Sequence, residues 1–121
     1  MFEKLRAIFQ RRKPVPETVE VDDEGVTLTQ GETSQRITWR DLSLVVIMTT
    51  SAGPFGDDFF WVLVDANQRL AIANTTAGVQ NLLTALQDLP DFDNLAVVEA
   101  SGSAEDRMFL CWKRQEDEDP D

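Results

Sequence analysis

Two near-continuous apolar runs lie in the middle of the chain, at residues 42–48 (LSLVVIM) and 59–65 (FFWVLVD). Such runs suit central strands that are buried on both faces, or on one face with a covering element on the other. Between them, residues 49–58 (TTSAGPFGDD) carry two glycines, a proline and two final acids, which is typical of a loop. The two runs therefore predict strands that can pair as a wide antiparallel hairpin.

Further strand patterns occur on both sides of this hairpin, at residues 19–21, 26–29, 34–39, 69–73 and 107–114. The first three are separated by turn sequences that contain Gly25 and Gly31, so they predict an antiparallel meander. Trp39 ends the third strand, and Arg40 and Asp41 are expected to form a corner after it.

The clearest helix pattern covers about residues 75–89. Its apolar side chains recur at i, i+3, i+4 and i+7, at Val79, Leu82, Leu83 and Leu86. Asn74 is expected to cap the start of this helix, because its side chain can accept a bond from an unpaired backbone N–H group. Pro90 is expected to end it.

Residues 93–101 allow two assignments. A short second helix would be capped by Asp91 or Asp93, turn Leu95 and Val98 inward, and end at Gly102. The same residues include LAVVEA, which also fits a strand, so the sequence leaves both assignments open.

The order of these elements predicts one α+β domain over residues 14–114. Strands come first, helices come late, and short turns between successive strands favour antiparallel pairing. We expect a curled antiparallel sheet of five to seven strands with one amphipathic helix, a short second helix and a late C-terminal strand.

Charge divides the chain into a basic head, an acidic body and an acidic tail. The 121 residues include 11 Lys+Arg and 22 Asp+Glu, for a net charge of -11. The net charge is +4 over residues 1–13, -10 over residues 14–114 and -5 over residues 115–121. The tail is expected to be disordered, because like charges repel and nothing there is apolar. The acidic body repels phosphate, so we expect no binding of nucleic acid.

The basic head, residues 1–13, also carries an apolar stripe at helical spacing, made of Phe2, Leu5, Ile8 and Phe9. A short amphipathic helix of this kind can lie on a membrane surface, contact a partner, pack on its own domain or fray in water. Attraction to the acidic body favours packing on the domain. The sequence has no stretch approaching the ~18 apolar residues of a membrane-spanning helix.

Several kinds of chemistry are disfavoured by composition. The sequence has no histidine, which excludes a histidine base, a histidine-containing triad and an imidazole metal site. Phosphate-binding glycine motifs are missing from the sequence. The single cysteine, Cys111, lies in an apolar strand and is expected to be buried and inert. With no signal peptide and no disulfide, we expect a cytoplasmic protein. With no histidine and no catalytic constellation of side chains, we expect it to be non-enzymatic, without metal or cofactor.

The loop at residues 49–58 holds the candidate partner-binding residues Phe55, Asp57 and Asp58. An exposed aromatic side chain can anchor an interface, whereas two acids are too few for a metal cage. The alternative is an ordinary surface loop whose acids cap backbone N–H groups. The three tryptophans, Trp39, Trp61 and Trp112, are expected to pack in the core and between strands, although one of them could keep its indole near the surface and line a groove.

Four segments together resemble a small, uncharacterised family of bacterial proteins: residues 37–42 (ITWRDL), 53–58 (GPFGDD), 89–94 (LPDFDN) and 109–112 (FLCW). The resemblance covers about residues 19–114 and implies no activity and no site residue. The first segment also resembles the Trp-Asp strand corner of bacterial pleckstrin-homology-like domains. That resemblance implies a pleckstrin-homology-like α+β fold, although the standard form ends on its helix and this chain adds a strand.

We therefore expect a non-enzymatic protein-binding or adaptor domain of the bacterial cytoplasm. The alternative is an acidic immunity or inhibitor protein, whose charge would steer it to a basic toxin or nuclease. A hydrolase built on Asp57, Asp58, Asp91 and Asp93 is a third hypothesis, which requires facing acids in one pocket. The sequence leaves the oligomeric state open.

Overall fold

The structure is a computed structural model and describes residues 17–51 and 59–115. The predicted head helix and most of the predicted acidic tail lie outside these residues. The described chain forms seven strands and two helices, in the order β1 (Glu17–Val21), β2 (Gly25–Gln30), β3 (Thr33–Thr38), β4 (Leu44–Thr49), β5 (Phe59–Val64), β6 (Arg69–Ala73), α1 (Val79–Gln87), α2 (Asn94–Ser101) and β7 (Arg107–Lys113). The predicted α+β class and the late C-terminal strand are confirmed.

The strands form two antiparallel sheets, so the prediction of one curled sheet is wrong. The first sheet has the order β1-β2-β3, and the second has the order β6-β5-β4-β7. The chain turns sharply between them, because the backbone N–H groups of Asp41 and Leu42 both donate to the carbonyl of Thr38. This corner ends the ladder of β3 before β4 begins.

The predicted hairpin of the two apolar runs is present as β4 and β5. Thr49 lies opposite Phe59 at its loop end, and Leu44 lies opposite Val64 at the other end. Strand β7 then pairs antiparallel with the free side of β4. The core lies against one face of each sheet and is completed by the buried residues of α1 and α2.

Helix α1 begins later than predicted. Gly78 lies at its N-cap position with φ 92, and no side chain caps it. The preceding turn is held by β1, since Val19 N donates to Ala77 O at 2.9 Å. Asn74 is therefore not a cap; its side-chain oxygen instead accepts a bond from Trp61 Nε1 at 3.0 Å. The predicted inward stripe is confirmed, with Leu82 fully buried.

Residues 94–101 form a second helix, as one of the two assignments predicted. Asp93 caps it by accepting a bond from Ala96 N at 3.1 Å, and Gly102 is the C-cap. The predicted inward residues are wrong, because Leu95 and Val98 are 72% and 67% exposed. The alanines of α2 face the core instead, since the bond from Asp93 N to the carbonyl of Cys111, at 2.8 Å, holds the start of α2 against β7.

One face of the second sheet points away from the core. Strand alternation puts Val45 and Ile47 in the core and Met48 on the opposite face. We call this opposite face the outer face; by strand register it consists of Leu44, Val46, Met48, Phe60, Val62, Val64, Arg69, Ala71, Ala73, Met108, Leu110 and Lys113. Two of these residues, Arg69 and Lys113, are basic and lie at the two ends of the row that contains Val64 and Leu44; the others are apolar.

Candidate functional site

The predicted partner-binding residues Phe55, Asp57 and Asp58 lie outside the described residues. The start of their loop is nevertheless fixed by the described residues. Thr49 is buried and donates its hydroxyl to the carbonyl of Glu105 at 2.7 Å. Ser51 N donates to the carboxylate of Asp106 at 2.9 Å. The start of the loop is thus anchored to the residues that precede β7.

A cleft elsewhere in the molecule has the features of a binding site. It has a volume of about 470 Å³ and lies between α1 and the turn that joins β1 to β2. We call it the Trp39 cleft; its lining comprises Val21, Asp22, Asp23, Trp39, Asn81, Thr84, Ala85, Asp88 and Leu89. Its volume is within the range of small ligand sites in proteins. Apolar and acidic side chains thus meet in one concave surface.

The indole of Trp39 is held in place by the corner after β3. Trp39 N donates to the carbonyl of Glu24 at 2.9 Å, and the indole Nε1 donates to the carbonyl of Asp22 at 3.0 Å. From the C-terminal side, Arg114 Nη2 donates to the carbonyl of Trp39 at 2.7 Å. A half-buried aromatic ring with a fixed orientation loses little freedom when a ligand packs on it.

The carboxylate of Asp22 is committed to the turn beneath the cleft. It accepts bonds from the backbone N–H groups of Glu24 and Gly25, at 2.8 and 2.9 Å, and pairs with Arg36 at 3.0 Å. The hydrogen bond from Arg36 is the main reason that the pKa of Asp22 falls to about 2. Asp22 is therefore always ionised at neutral pH, and Arg36 balances its charge.

Two other carboxylates of the cleft, those of Asp23 and Asp88, have no cationic partner among the described residues. Both side chains are exposed, and neither has a hydrogen bond or an ion pair with any residue in 17–51 or 59–115. Asp23 belongs to the β1–β2 turn, whereas Asp88 is the C-cap of α1. A ligand in the cleft therefore meets two carboxylates beside the Trp39 ring. This combination suits a cation, because ammonium and guanidinium groups interact with both carboxylates and aromatic faces.

The described residues that were considered for catalysis have other roles. Asp93 caps α2, and Asp91 occupies a turn with φ 64. Cys111 is buried, and desolvation is the main cause that raises the pKa of its thiol to about 11. Within the part of the chain that the structure describes, no three potential metal-ligating side chains form a group that could hold an ion.

The sequence patterns do not identify this cleft. They allow any one of the three tryptophans to line a groove, and they place Asp23 only in a turn and Asp88 only at the end of a helix. Their meeting depends on the packing of α1 beside β1, which local patterns do not encode. No described helix is long and apolar enough to cross a membrane. No protein-family model, curated protein or solved structure matches the chain.

Proposed function

We propose that this chain is a non-enzymatic protein-binding domain of the bacterial cytoplasm that holds a basic side chain of its partner in the Trp39 cleft. The observation that carries this proposal is that Asp23 and Asp88, which form no ion pair with residues 17–51 or 59–115, lie beside a fixed indole. We also propose that the fold is pleckstrin-homology-like, on the resemblance of residues 37–42 to the strand corner of those domains.

The chemistry of the cleft selects the ligand class. Arginine can stack its planar guanidinium on the indole while its N–H groups reach a carboxylate, which lysine does less well. An anionic or neutral side chain would leave both carboxylates facing no counter-charge. The expected partner segment therefore contains an exposed arginine with small neighbours that allow it to enter the cleft.

The test is binding of a short arginine–glycine peptide to the full chain, compared with the same peptide carrying citrulline. Citrulline keeps the shape of arginine but not its charge. Titration followed by NMR should shift the indole N–H signal of Trp39 more than those of Trp61 and Trp112. The variant Asp23→Asn/Asp88→Asn should weaken binding about tenfold, because two exposed ion pairs contribute roughly 0.5–1 kcal/mol each.

A matched control removes the same charge elsewhere. Glu32 lies in the β2–β3 turn and Glu99 on α2, and both are exposed. Glu32→Gln/Glu99→Gln should leave binding within about twofold, because neither residue lines the Trp39 cleft and salt screens exposed charges that do not contact the ligand. Equal binding of the citrulline peptide, or an equal loss from both double variants, would refute a specific cleft.

The second candidate is an acidic inhibitor of a basic toxin or nuclease, which the net charge of -10 over residues 14–114 favours. In that case the whole acidic surface would accelerate association with a folded basic partner. Both double variants would then slow association to a similar extent, and the dependence on salt would be steep. The same pair of variants therefore separates local recognition from general electrostatic steering.

A further inference from the structure

We propose that the outer face of the four-stranded sheet is the docking site of the chain's own residues 1–13. This inference concerns a different surface from the Trp39 cleft and does not depend on the proposed binding function. It rests on three observations: the composition of the outer face, the point at which the chain enters the described structure, and the stripe and charge of the head.

The outer face has the composition of a surface that another layer covers. Three large side chains on it are solvent-exposed: Met108 at 66%, Leu110 at 52% and Met48 at 39%. They are neighbours, because Met48 lies opposite Met108 on β7, and Leu110 lies opposite Val46. Contiguous exposed apolar side chains of this kind mark interaction surfaces, since isolated apolar residues are normal but patches are costly.

The described helices cannot provide that cover. The buried side chains of α1 and α2, including Leu82, Leu86, Ala96 and Ala100, all belong to the core cluster. That cluster also contains Val45 and Ile47, which point away from the outer face. Among residues 17–51 and 59–115, both helices therefore lie on the inner side of the second sheet, and a layer on the outer side requires another element.

The chain enters the described structure close to one end of the outer face. Glu17 accepts a bond from the hydroxyl of Thr76 at 3.3 Å, and Thr18 forms a bridge with Ala77. Thr76 follows Ala73 by three residues, and Ala73 lies opposite Phe60 on the outer face. Residues 14–16 can span roughly 10 Å when extended, which is enough to deliver the head to this end of the face.

The head matches the face in size and in chemistry. A helix over residues 1–13 would be about 20 Å long, and a sheet of four strands is roughly 14 Å across and about 20 Å long. Its apolar stripe, Phe2, Leu5, Ile8 and Phe9, would lie on the methionines and leucine of the face. Its net charge of +4 is opposite in sign to the net charge of -10 over residues 14–114. The apolar stripe, rather than the charge, would contact the face itself, whose charged residues Arg69 and Lys113 are basic.

Methionine methyl groups provide a direct test in the full chain. The sequence has three methionines, and two of them, Met48 and Met108, lie on the outer face. A spin label on Ala7→Cys lies opposite the apolar stripe in a helix, and the native thiol, Cys111, is buried. With ¹³C-methyl methionine, docking predicts that the label removes most of the signal intensity of Met48 and Met108.

Two comparisons make the result specific. Phe9→Asp places a charge in the apolar stripe and should restore both methyl signals, whereas Gln10→Asp adds the same charge beside the stripe and should not. A second sample mixes ¹³C-methyl protein that lacks the spin label with spin-labelled protein that lacks ¹³C. Signal loss in this mixture reports only on contacts between molecules. Docking within one molecule predicts loss of signal in the doubly labelled sample but not in that mixture. Loss of signal in the mixture as well would assign the face to a second copy, and would overturn the proposal.

The remaining outcomes also decide the question. If the label leaves Met48 and Met108 unchanged in every sample, the head does not dock on the face. Sedimentation of the full chain with anionic phosphatidylserine vesicles, combined with unchanged methyl signals, would assign the head to a membrane surface instead. Either result would overturn the proposal, while the peptide-binding test of the Trp39 cleft would be unaffected.

Discussion

At the scale of single residues, Asp22 links the turn under the Trp39 cleft to the strand beside it. Its carboxylate accepts two backbone N–H bonds within the turn and pairs with Arg36 of β3. Its own backbone carbonyl receives the indole N–H of Trp39. One acid therefore fixes the turn, the strand and the aromatic wall of the candidate site.

The first prediction concerns Asp22→Asn, which should lower the urea midpoint of unfolding at neutral pH. The pKa of Asp22 is lowered from 3.8 to about 2 in the folded protein, chiefly by Arg36. A lowered pKa means that the ionised form stabilises the fold, fully above pH 3.8 and progressively less as the pH falls towards about 2. The difference between wild type and variant should shrink over that interval.

The control for this prediction is Asp23→Asn, one residue further along the same turn. Asp23 has no partner among the described side chains, so its loss should change the midpoint little at any pH. The prediction fails if Asp22→Asn and Asp23→Asn behave alike, or if the effect of Asp22→Asn persists unchanged below pH 2.

Residue-level predictions succeeded where the chemistry is local. Asp93 was one of the two N-cap candidates, with Asp91, and Gly102 was the expected C-cap; both are caps in the structure, because a cap bonds to backbone groups a few residues away. Asn74 has the same capping chemistry, but Trp61 of a neighbouring strand takes its side-chain oxygen. Leu95 was expected to point inward, but it is 72% exposed, and the small side chains of Ala96 and Ala100 are buried instead. No local pattern indicates that β7 packs beside this helix.

At the scale of elements, Gly78 controls how α1 starts and how it meets β1. Its φ of +92 is unfavourable for residues with a side chain. A Cβ atom there would lie 2.1 Å from the carbonyl oxygen of Val19, which is backbone and cannot move aside cheaply. The approach of β1 to the start of α1 therefore requires glycine at this position.

The second prediction is that Gly78→Ala destabilises the fold by more than about 2 kcal/mol, because backbone strain and a steric clash add. The matched variant is Gly102→Ala, at the end of α2, where φ is -96 and the nearest contact of a Cβ atom would be 3.8 Å. That change should stay within about 0.5 kcal/mol. Urea unfolding of both variants measures the difference, and equal losses would contradict the role of Gly78.

Element types were predictable for the described strands because each has a local pattern of alternation or a continuous apolar run. The corner at Arg40 and Asp41 was predictable, and the backbone bonds of Asp41 and Leu42 to Thr38 form it. That this corner would divide the strands into two sheets was not predictable, since sheet pairing depends on distant strands. The apolar run of β4 predicted a strand that is covered on both faces. Among the described residues, the helices cover only its inner face. The Trp39 cleft depends on packing between α1 and the β1–β2 turn, which no local pattern reports.

At the scale of the whole molecule, the last strand closes the structure. β7 pairs with β4, so Lys113 lies opposite Leu44 although the two residues are far apart in the sequence. Arg114 extends this closure by donating Nε to the carbonyl of Leu42 at 2.9 Å and its backbone N–H to the carbonyl of Ser43. Because the second sheet needs β7, we expect the described part of the chain to unfold as one cooperative unit.

Cys111 reports on this cooperativity, and it carries the last prediction. Its thiol lies in β7 and is buried, and burial raises its pKa to about 11, so the reactive thiolate is scarce at neutral pH. Labelling by an aromatic disulfide reagent should therefore require unfolding of the molecule. The urea dependence of the labelling free energy should equal that of equilibrium unfolding.

The control is Glu99→Cys, on the exposed side of α2, which should react at once in the folded protein. If labelling of Cys111 depends only weakly on urea, β7 and α2 open together as a local unit. The pairing of β7 would then be a late, separable step of folding, and the rest of the fold would not require it.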